Sequence, residues 1–440
     1  MELFDALGPA VTSTLAGRRD RLPRSLILGA DAPERLAAAL VGELPAVGAR
    51  RVAVVFDART RPAAGERCAA ALGARGLSPE PLLLPDPEGH WPRCDEASRA
   101  WLAERTSGCD YLLGVGSGVI SDLCKWVAFD ADKPAAIFAT AASMNGYAAA
   151  NVAPAIAGVK TLILARAHRH VAADPAVLAA APATLTSAGL GDVLAKTVST
   201  VDWKMNELLF GEAFDPAIAG IIDGIEGRFL SRPEALARAE ADAVSALFEA
   251  LVFSGCAMSL QGSSMPASGG EHLLSHALDM RADAEGVEHD LHGRQVGVGT
   301  IFAAALYERV LALEAPRFDD APLPLDREGW GPIGASVAEH HAAQSRRLVE
   351  AVARLREPDL WQELRTTLGP MLPKAAWLRE VLRRAGAVHR VADLGIGRER
   401  FLWSVYNCAQ IRERFTSIDL AWVSGVLPAA APAIVDAHLS

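Results

Sequence analysis

The chain has 440 residues, with 43 basic and 53 acidic side chains, a formal net charge of −10 and 51% hydrophobic residues. This hydrophobic content is too high for a disordered chain, and the length allows two or three domains with a sizeable core. The net negative charge and the absence of a Lys- or Arg-rich run argue against a nucleic-acid partner. We therefore expect an ordinary soluble globular protein.

Cysteine spacing, the N-terminal residues and the lengths of the apolar runs argue against several further classes of protein. The six cysteines are scattered and form no C-x-x-C pair, which argues against a structural zinc site or a redox dithiol. The first twenty residues place acids early and arginines late, which reverses the charge order of a signal peptide. No run of 18 or more apolar residues lacks a charge or a helix breaker, so we expect no membrane span and a cytoplasmic location.

The N-terminal part alternates short apolar runs with helical patterns, which is typical of parallel β-α-β units. The predicted strands are Arg51–Phe56, Glu80–Leu84, Asp110–Val115, Ala135–Ala139 and Thr161–Ala165, and the predicted helices are Pro62–Arg75 and Cys94–Arg105. After about residue 180 the strand patterns stop. The helices predicted there are Ala183–Phe210, Pro216–Phe229, Pro233–Met258, Gly270–Met280, Gly297–Glu314, Ser336–Leu355 and Asp359–Leu368, with a loop over Pro316–Pro332. This change from alternating strand and helix patterns to helix patterns alone predicts an α/β domain over 1–180 and an α-helical domain over 181–440.

A glycine-rich turn around Gly116 and Gly118 follows an apolar strand and opens a predicted helix. Free N–H groups at such a turn can bind a pyrophosphate, but the same turn is common in α/β proteins without a nucleotide. The acidic residue Asp57 lies upstream, whereas a standard Rossmann acid follows the glycine loop by about 20 residues. Asp57 can therefore accept hydrogen bonds from an adenosine ribose or cap its own loop, and both interpretations stay open.

Four of the eleven histidines fall in one short region: His272, His276, His289 and His292. His272 and His276 are four residues apart, so they share one face of a helix. Together with a carboxylate such as Asp192, imidazoles suit a divalent cation and leave coordination room for a substrate oxygen. The alternative is that these histidines are exposed helix or loop residues. His168 and His170 have no evident carboxylate partner, and we expect both at the surface.

Several motifs together resemble those of sn-glycerol-1-phosphate dehydrogenases, which belong with glycerol dehydrogenases, iron-type alcohol dehydrogenases and dehydroquinate synthases. In chain order the motifs are Gly116–Lys125, Thr140–Tyr147, Ala188–Lys196, Asp202–Lys204, Gly270–His276, Leu291–Thr300 and Ile411–Trp422. The resemblance thus covers nearly the whole chain. It implies an α/β plus all-α fold, in which an N-terminal Rossmann-like parallel-sheet nucleotide domain precedes a C-terminal α-helical metal-binding domain, with the active site in the cleft between them.

The resemblance also assigns site residues by motif position. The implied ligands of one divalent metal (Zn²⁺, Ni²⁺ or Fe²⁺) are Asp192, His272 and His292. The implied NAD(H) or NADP(H) contacts are Asp57, Gly116, Ser117, Gly118, Val119, Ile120, Ser121, Asp122, Thr140, Ala141, Ala142, Ser143 and Ala149. The implied substrate contacts are Asn145, Asp192 and His276, of which Asp192 and His276 are the catalytic residues. Lys196 stands where iron-type alcohol dehydrogenases commonly have a fourth, histidine ligand, which favours the polyol-phosphate branch.

The implied reaction interconverts dihydroxyacetone phosphate and sn-glycerol 1-phosphate with NAD(P)(H), within phospholipid metabolism, in a homodimer or higher homo-oligomer. Two positions depart from the family pattern: Asn145 stands where aspartate is usual, and Ala149 where serine is usual. Asparagine keeps an acceptor oxygen but loses the charge. An alternative is therefore a reductase of another small phosphorylated, phosphonate or polyol carbonyl compound. Two more distant alternatives are an NAD-dependent sugar-phosphate cyclase and a non-catalytic binding protein.

The sequence leaves open the role of His276 and the identity of the residues that bind the substrate phosphate. His276 can relay a proton to the substrate oxygen, because imidazole titrates near neutrality, or it can hydrogen-bond the substrate or orient a ligand. The small phosphorylated substrate needs cationic or N–H partners. Lys204, Arg294 and Arg412 lie near motifs and are candidates, and each can equally be a surface ion-pair partner.

Overall fold

A computed structural model describes residues 2–44, 50–86, 92–156 and 159–440. The chain divides into two compact units, Met1–Gly189 with Gly220–Ser263, and Leu190–Ala219 with Ser264–Ser440. The sequence predicts a single boundary near residue 180. In the structure the helical segment Gly220–Ser263 groups with the N-terminal unit instead of with the helical remainder of the chain.

The described strands are β1 (Ser25–Leu28), β2 (Arg51–Phe56), β3 (Ser78–Leu83), β4 (Tyr111–Gly116), β5 (Ala135–Ala139), β6 (Asn151–Val152), β7 (Ala155–Ile156), β8 (Val159–Lys160), β9 (Ile163–Leu164) and β10 (His170–Ala173). The described helices of the first unit are α1 (Leu3–Ala6), α2 (Pro9–Thr14), α3 (Ala32–Glu43), α4 (Glu66–Ala74), α5 (Glu96–Arg105), α6 (Gly118–Asp130), α7 (Pro175–Ala179), α11 (Asp223–Leu230), α12 (Glu234–Ala237) and α13 (Ala241–Gln261). Helix α8 (Ala183–Leu194) starts in the first unit's sequence range and ends in that of the second. The described helices of the second unit are α9 (Lys196–Phe210), α10 (Pro216–Ala219), α14 (Gly270–Glu285), α15 (His292–Leu311), α16 (Gly334–Leu355), α17 (Leu360–Leu368), α18 (Ala375–Arg384), α19 (Arg398–Asn407), α20 (Ser417–Val423) and α21 (Ala431–His438).

A six-stranded sheet in the order β1-β10-β5-β4-β2-β3 forms the centre of the first unit, and every neighbouring pair in it is parallel. Alternate residues of β2 enter two separate cores. Val54 packs with α3 and α4 on one face, and Val55 packs with α5 and α6 on the other. Because helices cover both faces, the central strands β2, β4 and β5 are nearly continuous apolar runs, which is typical of parallel sheets.

The strand predictions for Arg51–Phe56 and Ala135–Ala139 are confirmed with the same bounds. Of the strand predicted over Thr161–Ala165, only Ile163 and Leu164 form a strand, and they pair antiparallel with β6 outside the six-stranded sheet, so the prediction that this strand continues the parallel series is wrong. Leu164 is 74% exposed. A short apolar run therefore reads like a buried strand although its side chains face solvent.

The strands β1 and β10 are present although no strand is predicted there, and the surface positions expected for His168 and His170 are wrong. Both imidazoles are buried. His170 Nδ1 lies 2.8 Å from Ser25 Oγ, and His168 Nε2 lies 3.1 Å from Ser121 Oγ. These partners are more than forty residues away in the chain, so local sequence gave no sign of them.

Helix α13 explains why Gly220–Ser263 groups with the first unit. It packs against α7 and α11, and nearly all of its side chains are buried. Of the described helices, it alone is long and apolar enough to cross a membrane, but 89% of its most apolar window (mean hydropathy 1.7) is buried in the protein. An apolar helix buried on every side is typical of a core helix.

The second unit is helical, as predicted. The predicted helix Ala183–Phe210 is two helices that meet at Ala195. Helix α15 lies at the centre of the unit and packs against α14, α18, α20 and α21. This central helix and its neighbour α14 carry the clustered histidines.

Candidate functional site

Three side chains of the second unit form a cluster that can hold a metal ion: Asp192, His272 and His292. Asp192 lies near the end of α8, His272 in the first turn of α14, and His292 is the first residue of α15. One ligand atom from each lies within 4.8 Å of the other two. Asp192 and His272 are buried, and His292 is partly exposed. One carboxylate and two imidazoles at this spacing fit a divalent cation with an open coordination position.

Close helix packing brings these residues together. A Cβ atom added at Gly191 would overlap the carbonyl oxygen of Gly293, so only glycine lets the end of α8 approach the start of α15. A Cβ atom at Gly299 would lie 2.7 Å from the carbonyl oxygen of Glu271, which links α15 to α14 in the same way. The residues beside Asp192, His272 and His292 therefore set the geometry of the cluster.

The neighbouring histidines divide into two groups. The His276 ring stacks on His292 with 5.2 Å between centroids and lies 6.2 Å from the His272 ring, so these three imidazoles meet. His289 instead has its Nδ1 3.0 Å from Asp279 Oδ1. The hydrogen bond with Asp279 raises the pKa of His289 to about 9, against the effect of its burial. His289 thus carries a structural ion pair with Asp279.

Each candidate histidine ligand has a hydrogen-bond partner at its Nδ1 atom. Glu271 Oε1 lies 2.9 Å from His272 Nδ1, and Ser275 Oγ lies 2.8 Å from His292 Nδ1. Burial lowers the pKa of His272, but hydrogen bonds with Asp192 and Glu271 outweigh it and raise that pKa to about 9. The surroundings therefore favour a positive charge at this point. Sequence analysis did not single out Glu271 or Ser275, although each lies within one residue of a motif histidine.

The residues implied as cofactor contacts lie at the carboxyl ends of neighbouring strands in the first unit. Gly116 at the end of β4 pairs with Ala139 at the end of β5, and Thr140 N donates to Gly116 O at 3.1 Å. Helix α6 begins at Gly118, directly after the turn. A helix N-terminus beside the carboxyl ends of parallel strands is a common phosphate site in α/β folds. The segments 116–122 and 140–143 are thus adjacent.

Asp57 follows β2, which pairs with β4, so it lies at the same edge of the sheet. Its Oδ1 accepts hydrogen bonds from the backbone N–H groups of Arg59 and Thr60, both at 2.8 Å. Its Oδ2 lies 3.3 Å from the Arg59 guanidinium. The loop-capping role is therefore present in the structure, and the ribose contact stays a prediction.

Asn145 and Ala149 lie in a loop that follows β5 and is anchored to two helices of the first unit. Lys125 Nζ donates to Gly146 O at 2.8 Å, and Ser259 Oγ donates to Ala148 O at 3.0 Å. The Lys125 side chain is fully buried. It is a structural cation of this loop and is closed to a substrate phosphate.

The cations considered for the substrate phosphate have different surroundings. Lys204 pairs with Glu207, and Arg294 lies 3.2 Å from Asp290. Among the residues that the structure describes, no carboxylate lies within ion-pair distance of the partly buried Arg412. Burial, with the nearby Arg414, lowers the pKa of Arg412 to about 10, so it stays cationic at neutral pH. Lys196 is buried and donates to the carbonyl oxygen of Ala219.

Comparison with known proteins finds relatives among the dehydrogenases. The family of iron-containing alcohol dehydrogenases matches residues 29–182. A glycerol-1-phosphate dehydrogenase [NAD(P)+] of Bacillus licheniformis is 28% identical over 390 residues, which cover 88% of this chain and 87% of the relative. Another, of Methanothrix thermoacetophila, is 31% identical over 286 residues, which cover 65% of this chain and 77% of the relative.

The fold also matches a solved structure. A probable glycerol dehydrogenase from Sinorhizobium meliloti superposes with a TM-score of 0.60 at 19% identity, covering 94% of this chain and 98% of that one. The α/β plus all-α fold predicted from the sequence is confirmed by this match and by the parallel sheet and helical unit described above. With the fold, the ordered motifs and these relatives in agreement, the chain belongs to the glycerol-1-phosphate dehydrogenase family, among the iron-containing alcohol dehydrogenases.

Proposed function

We propose that the protein is a metal-dependent NAD(P)(H) oxidoreductase that interconverts dihydroxyacetone phosphate and sn-glycerol 1-phosphate. The observation that carries this proposal is the cluster of Asp192, His272 and His292, with ligand atoms within 4.8 Å of one another, in a member of the glycerol-1-phosphate dehydrogenase family. The related enzymes are named for this substrate and for NAD(P)+.

In this proposal Asp192, His272 and His292 hold one divalent cation. When bound, the cation polarises a substrate carbonyl as a Lewis acid, and the nicotinamide supplies or accepts the hydride. The donor set suits Zn²⁺, Ni²⁺ and Fe²⁺ alike, because a carboxylate with two imidazoles binds each of them. The partly exposed His292 leaves one side of the cluster open for a substrate oxygen.

The first unit would bind the cofactor at the carboxyl edge of its sheet. The backbone N–H groups at Gly116 to Gly118 and the start of α6 suit the pyrophosphate. Asp57 suits the adenosine ribose, since it directly follows β2, the strand that pairs with β4. Thr140 to Ser143 follow β5 at the same edge, and Ala149 lies in the loop that Lys125 and Ser259 hold.

The substrate would contact Asn145, Asp192 and His276. His276 stacks on His292 at 5.2 Å, which places its imidazole next to the metal ligands. A histidine there can pass a proton to or from the substrate oxygen as the carbonyl is reduced or the alcohol oxidised. Arg412 is the best candidate for the phosphate, because Lys204 and Arg294 already pair with Glu207 and Asp290.

The test is a steady-state assay of the purified protein with Zn²⁺, Ni²⁺ or Fe²⁺. Loss of nicotinamide absorbance should require dihydroxyacetone phosphate together with NADH or NADPH, and chelation should abolish it. A metal-replete protein that oxidises neither cofactor with this substrate contradicts the proposal. The variant His272→Ala should lose bound metal, measured by elemental analysis, while its circular dichroism stays that of the unchanged protein. Unchanged metal content would overturn the ligand assignment.

Asn145 supports the alternative substrate, because it replaces the aspartate usual in the family. A panel of small phosphorylated, phosphonate and polyol carbonyl compounds at fixed cofactor concentration separates the two substrates. If dihydroxyacetone phosphate is the substrate, it should have the highest kcat/KM of the panel. The variant Asn145→Asp should then change kcat/KM and leave the affinity for NADH, measured in the absence of substrate, within about twofold.

Three further properties belong to this proposal. We infer a homodimer or higher homo-oligomer, since closed symmetric assemblies are common among soluble enzymes. Light scattering behind a sizing column tests the mass in solution. We also infer a cytoplasmic location, which fractionation of cells that express the protein tests, and a role in phospholipid metabolism, which the resemblance to sn-glycerol-1-phosphate dehydrogenases implies.

A further inference from the structure

We propose that Glu271 is a positioning residue of the metal site: its carboxylate fixes the ring orientation and the tautomer of His272, so that Nε2 faces the cation. This inference rests on the metal site of the proposed function. It concerns a residue that does not itself belong to the ligand cluster. The inference comes from the contact between Glu271 and the ring of the residue that follows it.

The geometry of this contact decides the tautomer. Glu271 is fully buried, and its Oε1 lies 2.9 Å from His272 Nδ1. Oε1 already accepts a hydrogen bond from Gly269 N, so the ring nitrogen that faces this acceptor oxygen is the one that carries a proton. In the metal-binding form of the ring the proton stays on Nδ1, and Nε2, which is 3.4 Å from Asp192 Oδ1 within the ligand cluster, offers its lone pair to the cation. Carboxylates that hold metal-bound histidines in this way raise the basicity of the ligand nitrogen.

The contact is not an automatic result of helix geometry. Neighbouring residues on a helix do not face each other, so side chains at positions i and i+1 rarely meet. Glu271 reaches the His272 ring because Oε1 also accepts from Gly269 N at 2.6 Å, which turns the carboxylate back over the start of α14. A buried carboxylate is costly unless its partners use the charge, and among the described residues Oε2 has no hydrogen-bond donor. A cation held by His272 would offset that charge.

A second carboxylate keeps this helix start in place. Asp202 Oδ2 accepts from Gly270 N at 2.8 Å, and its Oδ1 accepts from Ser417 N at 2.9 Å. A Cβ atom at Gly270 would lie 2.5 Å from Ser417 Oγ. The first turn of α14 is thus closely packed, and Glu271 is presented to His272 from a fixed backbone.

The experiment measures Zn²⁺ affinity with protein that has been stripped of metal, by competition with a chromogenic chelator. The variants are Glu271→Leu, which removes the acceptor, and Glu271→Gln, which keeps an acceptor oxygen of the same reach. The matched control is Asp419→Asn, a buried carboxylate of the same unit whose partners are Thr416 and Gln344. Unfolding temperature and NADH affinity report on the fold of each variant.

Glu271→Leu should weaken Zn²⁺ binding by about 10- to 100-fold, and Glu271→Gln by less than Glu271→Leu. Asp419→Asn should leave Zn²⁺ affinity within about threefold of the unchanged protein. The visible spectrum of the Co²⁺-loaded protein should change in Glu271→Leu, because the ring of His272 is no longer fixed. The proposal is overturned if Glu271→Leu binds Zn²⁺ as the unchanged protein does, or if Asp419→Asn loses as much affinity. If Glu271→Leu does not fold, Glu271→Met, which also removes the acceptor, decides: Zn²⁺ affinity equal to that of the unchanged protein, with an unchanged Co²⁺ spectrum, overturns the proposal.

These outcomes do not depend on the identity of the substrate. A protein that fails to turn over dihydroxyacetone phosphate but loses Zn²⁺ affinity in Glu271→Leu would contradict the proposed function and support this inference. The reverse result would contradict only the inference.

Discussion

The ammonium group of Lys125 lies 2.9 Å from Asp122 Oδ1, and it also donates to the carbonyl oxygens of Gly146 and Asn151 at 2.8 and 2.7 Å. One fully buried cation therefore ties the helix that follows the glycine loop to the segment that carries Asn145. Because Asp122 is a proposed cofactor contact and Asn145 a proposed substrate contact, Lys125 connects two segments of the first unit to which the proposal gives binding roles.

The variant Lys125→Met should destabilise the protein by about 3–5 kcal/mol, because removing one partner of a buried ion pair leaves the other uncompensated. Urea unfolding measures the change. KM for the substrate and Kd for NADH should both rise, since the loop of Asn145 and Ala149 loses its anchor. Lys133→Met is the control: Lys133 also donates to backbone carbonyls, those of Thr106 and Ser107, but at the far end of α6. Equal kinetic effects in both variants would contradict the role of Lys125.

The contacts of Lys125 illustrate what sequence could and could not provide. The motif around the glycine turn identified the strand, the helix and the segments at their ends, because apolar periodicity and glycine placement are local properties. The two carbonyl groups that Lys125 binds lie more than twenty residues away, at Gly146 in a loop and at Asn151 in the short strand β6. The periodicity of helices and strands relates residues within one element, so it does not predict contacts between a helix and a distant segment of the chain.

The metal cluster shows the same division. His272 and His276 were grouped by helical spacing, and their rings do meet. Helical spacing could not group Asp192 with these histidines, because Asp192 lies on another helix, eighty residues before His272. Only the family motif indicated that the three residues belong together. The contact between Glu271 and His272 was not predicted, because adjacent residues on a helix do not share a face. The surface position predicted for His168 was wrong because its partner Ser121 belongs to a different element, which local sequence does not indicate.

Gly191 provides a test of the packing that places Asp192. The variant Gly191→Ala should lower the free energy of unfolding by about 1–3 kcal/mol, because the added methyl group overlaps the carbonyl oxygen of Gly293. The same shift should displace Asp192, so bound Zn²⁺ should fall in elemental analysis. Gly73→Ala in α4 is the control, since a Cβ atom there meets nothing within 4 Å. That variant should be neutral or slightly stabilising, and full Zn²⁺ retention in Gly191→Ala would refute the packing argument.

Arg59 should determine how well the protein accepts NADP(H). Arg59 lies two residues after Asp57, the proposed ribose contact. Its guanidinium is 3.3 Å from the Asp57 carboxylate and 2.8 Å from that of Asp86. An acidic residue at such a position binds the ribose of NAD, and a nearby arginine accommodates the 2′-phosphate of NADP. Loss of one charge-assisted hydrogen bond is worth about 1.5–3 kcal/mol, roughly a tenfold change or more.

The variant Arg59→Ala should therefore raise Kd for NADPH by about tenfold and change Kd for NADH much less. Titration of intrinsic fluorescence with each cofactor measures both constants. Arg61→Ala is the control, because Arg61 pairs with Glu66 on an exposed stretch two residues further on. An unchanged ratio of the two dissociation constants in Arg59→Ala would rule out a 2′-phosphate contact.

The buried His168 should make stability depend on pH. Complete burial lowers its pKa well below the usual 6.5, with a further decrease from the nearby Lys125 cation, against hydrogen bonds at Ser121 and Ala135. In the unfolded chain the imidazole takes up a proton as the pH falls through about 6.5, whereas the folded protein keeps it neutral. The unfolded state then binds more protons, so the free energy of unfolding should decrease as the pH falls below about 6.5, by up to about 1.4 kcal/mol per pH unit. The variant His168→Gln should reduce this slope, measured by urea unfolding between about pH 5 and 7.5, and His340→Gln, at an exposed histidine, should leave it unchanged. Identical slopes in His168→Gln and the unchanged protein would show that another group controls the acid limb.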